Sequence, residues 1–131
     1  MNTIGAIYVH DTKETPYAMQ IIMGDKRIET RTRNVLRRFV GERVLVIRTR
    51  SGHKAEVIGS VYLDHCRFLT ATEMDAARDR TLIPKGSQFD CQNGKGKYCY
   101  YLTDPVEFSE PKPLTDYAVI TRNMSYAILA D

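Results

Sequence analysis

The run Arg43-Val44-Leu45-Val46-Ile47-Arg48-Thr49 is the most apolar stretch of the chain, and it constrains the fold most strongly. It is rich in β-branched residues and too short for a typical buried helix, so it reads as a central strand covered on both faces. Such a strand needs partners on either side. The sequence supplies them: Ile4–Val9 before it, and Ala55–Leu63 after a Ser51-Gly52 turn. Gly59 inside the second partner marks a bulge or a corner.

Further strand-like segments are Tyr98–Leu102, Val106–Phe108 after the break at Asp104-Pro105, and a final hairpin of Tyr117–Ile120 with Tyr126–Leu129. Helical signals are fewer. Thr15-Pro16 reads as an N-cap with proline at the first helical position, opening a short helix over Pro16–Met23 that Gly24 terminates in the left-handed conformation. Thr70 or Thr72 caps a second helix, expected at Thr72–Arg80, with Asp75 in a capping-box-like position after Thr72. Strands thus outnumber helices. The predicted fold is a single α+β, mainly β domain, a small closed or half-closed β-barrel with two short helices, spanning residues 1–131. Ile28, Val44, Val46 and Val61 are its expected deep core. With 131 residues, 43% hydrophobic and 27% charged, the chain has the composition for one such core.

Lys26 to Arg33 alternates strictly, with Arg27, Glu29, Arg31 and Arg33 on one face. Between Asp25 and Arg50 there are nine basic residues against three acidic ones, an excess of six, although the whole chain carries only +3. From Tyr101 to Asp131 the balance reverses, with two basic residues against five acidic. This asymmetry is the footprint expected of a surface for a polyanion.

The three cysteines, Cys66, Cys91 and Cys99, are odd in number and lack metal-ligand spacing. No metal site or cofactor is expected, neither His53 nor His65 having adequate ligand spacing. Thiols without a disulfide framework suit a cytoplasmic location. No apolar run approaches the roughly 20 residues of a membrane span, and no secretory leader is evident. A monomer with no membrane partner is expected.

The segment from Pro16 to Arg31 resembles the signature of the ASCH domain family, in which a short helix beginning near proline and an aromatic residue runs into G-x-K-x-x-E-x-R. Gly24, Lys26, Glu29 and Arg31 match that pattern position by position. The likeness continues through Gly41–Val46, Ile58–Cys66 and Tyr101–Phe108, and so covers residues 4–114. Residues 115–131 form a C-terminal extension outside it. The resemblance implies a PUA-like barrel related to RNA-binding and RNA-modification modules, with a cleft lined by the motif's lysine, glutamate and arginine. Some family members are inferred RNA binders and some look like ribonucleases. One branch hydrolyses the acetyl amide of N4-acetylcytidine; it typically carries threonine three residues after the lysine, where this chain has Glu29.

The expected function is RNA or nucleotide binding, DNA not being excluded. The site would comprise Gly24, Lys26, Glu29 and Arg31, supported by Arg33, Arg37 and Arg38, with Tyr100 as a stacking surface. Lysine and arginine there can hold phosphate, and Glu29 can accept from an exocyclic amine. The alternative is a metal-independent hydrolase acting on RNA or a modified nucleoside, with Lys26 and Glu29 as its catalytic pair. A third reading is a protein-interaction module, whose sign would be an exposed apolar patch on the Tyr117–Leu129 tail. Strict alternation poses one difficulty: Lys26 and Glu29 have opposite parity and share a cleft only if the chain turns or bulges between glycine and strand.

Overall fold

In a computed structural model that describes residues 2–130, the strands β1 (Thr3–His10), β2 (Ile28–Arg31), β3 (Glu42–Thr49), β4 (Glu56–Leu69), β5 (Lys97–Pro113), β6 (Ala118–Arg122) and β7 (Tyr126–Ala130) form one mixed sheet in the order β2-β5-β4-β3-β1-β7-β6. The central run is β3 (Glu42–Thr49), which lies between β1 (Thr3–His10), its parallel neighbour, and β4 (Glu56–Leu69), its antiparallel one. Its alternating side chains enter two separate apolar layers. Val44 and Val46 join a core with Ile28, Val61 and the helices, while Leu45 and Ile47 pack with Ala6, Val57, Ala127 and Leu129. Ile28, Val44, Val46 and Val61 are all fully buried, as the sequence pattern requires.

The fold is α+β and mainly β, as expected, but the sheet is not closed into a barrel. Its two edges are β2 (Ile28–Arg31) and β6 (Ala118–Arg122), which do not pair with each other. The helices are also three rather than two: α1 (Tyr17–Ile22), α2 (Ala71–Ala76) and α3 (Arg78–Thr81). The second helical segment is split at Ala77, and it starts earlier than Thr72. Thr70 is the N-cap, its side chain accepting from the Glu73 N–H while the Glu73 carboxylate accepts from the Thr70 N–H.

Thr15 does not cap α1. That role falls to the buried Asp11, whose carboxylate accepts from the Ala18 N–H at 2.7 Å across an intervening turn. Gly24 does end the helix region in the left-handed conformation, at φ +84°. The expected strand break at Asp104-Pro105 is instead a bulge within one continuous strand, β5 (Lys97–Pro113). Asp104 takes φ +52°, and the register with β4 shifts between Ser60 and Tyr62. The final hairpin forms as expected. β7 (Tyr126–Ala130) pairs with both β6 and β1, so the C-terminal extension is built into the sheet. It leaves Val119, Ile120 and Met124 exposed.

Gly59 lies where β4 carries register shifts against both neighbours. A Cβ there would stand 2.2 Å from the Val106 carbonyl oxygen and 2.9 Å from Ile22 Cδ1. Backbone cannot yield as a flexible side chain would. Gly59→Ala is expected to destabilise the domain by about 3 kcal/mol, read from urea unfolding midpoints, and a wild-type midpoint would show that the bulge relaxes at little cost.

Candidate functional site

The motif residues meet because β2 is shorter than the alternating sequence suggests. The strand begins only at Ile28, so Lys26 belongs to the link from α1 and is free of strand parity. Gln20 holds that link, its carbonyl accepting from the Asp25 and Lys26 N–H groups at 2.9 and 3.0 Å, while the Arg27 N–H donates to the Arg80 carbonyl of α3 at 2.8 Å. These bonds turn the Lys26 side chain inward. Lys26 is 2% exposed and Glu29 6% exposed, so both charges are removed from water.

Each is compensated. The Lys26 ammonium donates to the Thr81 carbonyl, lies 3.7 Å from Glu29 Oε1, and sits 5.0 Å from the Tyr17 ring centroid. Glu29 Oε2 accepts from Arg31 Nη1, and Oε1 accepts from the Thr30 N–H at 3.3 Å. Arg31 then reaches across to β1, donating from Nη2 to the Tyr8 carbonyl at 2.7 Å. Burial raises the Glu29 pKa, but the Arg31 and Lys26 charges outweigh it and hold the carboxyl below the ordinary range. Burial lowers the Lys26 pKa, and Glu29 only partly restores it.

The Arg31–Tyr8 bridge spans the gap between the free edge of β2 and the later part of β1, and this gap is the seam of the site. A cleft of about 450 Å³ opens along it. Tyr8, Val9 and His10 line it from β1, Glu29 to Thr32 from the β2 side, and Met124 from the turn before β7. Tyr17, Thr49, Ile83, Phe89 and Lys97 complete the wall, with Tyr17 and Phe89 in edge-to-face contact at 5.6 Å between centroids. The Phe89 loop is held by Asp90. Its carboxylate accepts from the Gly86 and Cys91 N–H groups, each at 2.8 Å, and pairs with Arg78 at 3.0 Å.

Of the residues singled out from sequence, the structure brings Lys26, Glu29 and Arg31 together. Lys26 lies beneath the cleft and meets it through Glu29 and Tyr17. The others lie outside the lining. Gly24 serves the turn and borders a smaller groove behind Lys26. Arg33, Arg37 and Arg38 are exposed on the connector after β2, where Arg38 stacks on Tyr126 and donates to its hydroxyl at 3.2 Å. Tyr100 offers no face for stacking, because its ring is fully buried and its hydroxyl is bonded to Asn34 at 2.7 Å and to the Leu36 N–H at 3.2 Å. Burial pushes its phenol up to about 12.

The sequence reading missed Lys97 and Phe89. Lys97 stands at the first position of β5, after a glycine- and lysine-rich loop, and only pairing with β4 turns it toward the seam. Among the described residues no cluster of three or more His, Cys, Asp or Glu is arranged to hold a metal ion, and no helix is long and apolar enough to cross a membrane.

Comparison with solved structures decides the architecture. The crystal structure of the ASCH protein from Zymomonas mobilis superposes with a TM-score of 0.65 at 20% identity, covering 84% of this chain and 74% of that one. Two single-substitution variants of that protein superpose equally well, at TM-scores of 0.65 and 0.66 with 22% and 19% identity, covering 84% of this chain and 75% and 76% of theirs. The chain has the fold of an ASCH domain. No family model matches the sequence, and no curated protein does. The ASCH fold is therefore present here at an identity too low to carry a function with it.

The buried carboxylate makes stability depend on pH in a definite sense. The unfolded chain has a carboxyl near the ordinary 4.5 and the folded one lies lower, so its contribution is complete above that value and is lost as pH falls through the folded value. Glu29→Gln, which leaves Lys26 buried without its counter-charge, is expected to cost about 3 kcal/mol at neutral pH and to flatten the acid limb of the stability profile. Urea titrations across the acid range check this; a variant as stable as wild type at neutral pH would remove the network from its structural role.

Proposed function

We propose that this ASCH-fold domain binds RNA or a nucleotide, taking one nucleotide unit into the seam between β1 and β2. The observation that carries this reading is the pairing, in one cleft, of an aromatic wall at Tyr17 and Phe89 with cationic Arg31 and Lys97. The half-buried Phe89 ring, backed by the buried Tyr17, can take any base, and the guanidinium fork suits phosphate oxygens. The cleft volume lies within the range usual for small-ligand sites. Exposed Arg33 and Arg37 beyond β2 add long-range attraction for the rest of a strand.

Fluorescence anisotropy with a labelled single-stranded RNA tests the proposal, titrated from about 50 to about 300 mM salt. Affinity should fall with a log–log slope near −0.7 per phosphate neutralised, and Arg31→Ala should weaken binding about tenfold. Competition with DNA of the same sequence separates RNA from general polyanion binding. No binding at low salt, or binding indifferent to salt, would overturn the reading.

One observation favours the hydrolase alternative: an amine of lowered pKa stands beside a carboxylate at the edge of a cleft. Two others weigh against it. A general base works best with a pKa near the operating pH, whereas that of Glu29 is held below the ordinary carboxylate range. Both its oxygens are also occupied by protein donors. Incubation of wild type with RNA and modified nucleosides in the presence of chelator is expected to yield no product. Turnover that survives the chelator and disappears in Lys26→Ala would establish the hydrolase instead.

A further inference from the structure

Lys97 is 6% exposed and lines the cleft. Its ammonium has three N–H donors, and one goes to the Phe89 carbonyl at 2.7 Å. Among the described residues the other two have no acceptor, and no carboxylate forms an ion pair with this lysine. Glu29 is the carboxylate that acts on it most strongly among the described residues, and that charge is already shared by Lys26 and Arg31. The seam therefore holds three cations to one carboxylate. Burying an ammonium without a counter-ion is costly, and burial does lower the Lys97 pKa. Arg31 also has capacity to spare. Three of its five N–H donors go to Glu29, the Thr30 carbonyl and the Tyr8 carbonyl, which leaves two.

We infer that Lys97 and Arg31 together form a subsite for the terminal phosphate of a nucleotide, so that the cleft selects a nucleoside monophosphate or a phosphorylated strand end over the neutral nucleoside. The charge balance favours a monoester. At neutral pH a phosphate monoester carries between about −1.5 and −2, which matches the excess of two cations, whereas an internal diester carries only one charge. The two lysines thereby divide the labour: Lys26 compensates the fold's own carboxylate, and Lys97 is left for the ligand's anion. The inference rests on the nucleotide-binding reading and deepens it.

Isothermal titration calorimetry with the four nucleosides, their 5′- and 3′-monophosphates and inorganic phosphate tests it, on wild type, Lys97→Met and the outlying control Arg122→Ala. A monophosphate should bind at least about tenfold tighter than its nucleoside to wild type and to the control, and this advantage should vanish in Lys97→Met. Because Lys97 is buried, its methionine variant can fail to fold. The Lys97 side-chain NMR signals of wild type therefore supply a second reading, and they should shift on addition of monophosphate and not of nucleoside. Equal affinity for nucleoside and monophosphate would overturn the phosphate subsite while leaving nucleotide binding intact. Inorganic phosphate that shifts the Lys97 signals, with no nucleotide bound more tightly than phosphate itself, would support the subsite and defeat the nucleotide reading. No shift with any phosphate would overturn the subsite.

Discussion

The carboxylate of Glu29 is the constraint around which the site end of the molecule is arranged. A carboxylate removed from water is tolerated only where donors and opposite charge replace the lost hydration. Here three neighbouring residues provide them. The link after α1 contributes Lys26, the backbone of β2 contributes the Thr30 N–H, and the end of β2 contributes Arg31. Lys26 is in turn fixed by the C-terminal carbonyl of α3, and Arg31 by the Tyr8 carbonyl of β1. One anion thus ties together a helix exit, two strands far apart in sheet order and a helix end from the other half of the sequence. Exchanging any member for an apolar residue would leave the remaining charges buried without partners.

The same network explains why the sheet curls without closing. β2 is four residues long and pairs with β5 through Ile28, Glu29, Thr30 and Arg31, leaving its other edge toward β1. Among the described residues no backbone pairing joins β2 to β1, which lies between β3 and β7. Instead the seam is crossed by a guanidinium on a carbonyl, a side-chain contact that spans the gap and leaves open space beside it. The cleft therefore opens beside the free edge of β2. Gly59 plays the complementary role on the opposite side, where a side chain would collide with the Val106 carbonyl and prevent β4 and β5 from bending together.

Much of the fold was legible because it obeys local rules. The period-two strands, the apolar central run, the left-handed glycine after α1 and the final hairpin follow from residue type and spacing alone. The misreadings share a cause, which is that the deciding partner is distant in sequence. Asp11 replaces Thr15 as the cap of α1 because an intervening turn brings its carboxylate over the helix end. Asp104 and Pro105 fail to break β5 because β4 continues alongside and absorbs the extra residues as a bulge. Tyr100 looked available for stacking, yet Asn34 and Leu36 draw its hydroxyl inward. In the site, the motif residues Lys26, Glu29 and Arg31 do meet in space, whereas Lys97 follows a glycine- and lysine-rich loop that carries no motif. No local pattern distinguishes a solvated lysine from one that strand pairing turns into a cleft.

The C-terminal extension illustrates how far the site depends on chain outside the region of motif resemblance. β7 pairs with β1 from Thr3 to Ile7, and so supports the strand that supplies one wall of the cleft. Tyr126 packs edge-to-face on Phe39 at 5.1 Å and carries Arg38 on its ring and hydroxyl, which fixes the connector leaving β2 against the strand entering β7. Asn123 orders the intervening turn by accepting from the Ser125 and Tyr126 N–H groups at 2.8 and 2.9 Å. That turn presents Met124, 98% exposed, at the mouth of the cleft. A flexible thioether at an entrance can follow ligands of different shape, while the charged floor it overlooks is held rigidly by the Glu29 network. On the proposed binding, discrimination by charge would reside in the motif and β5, and tolerance of shape in the extension.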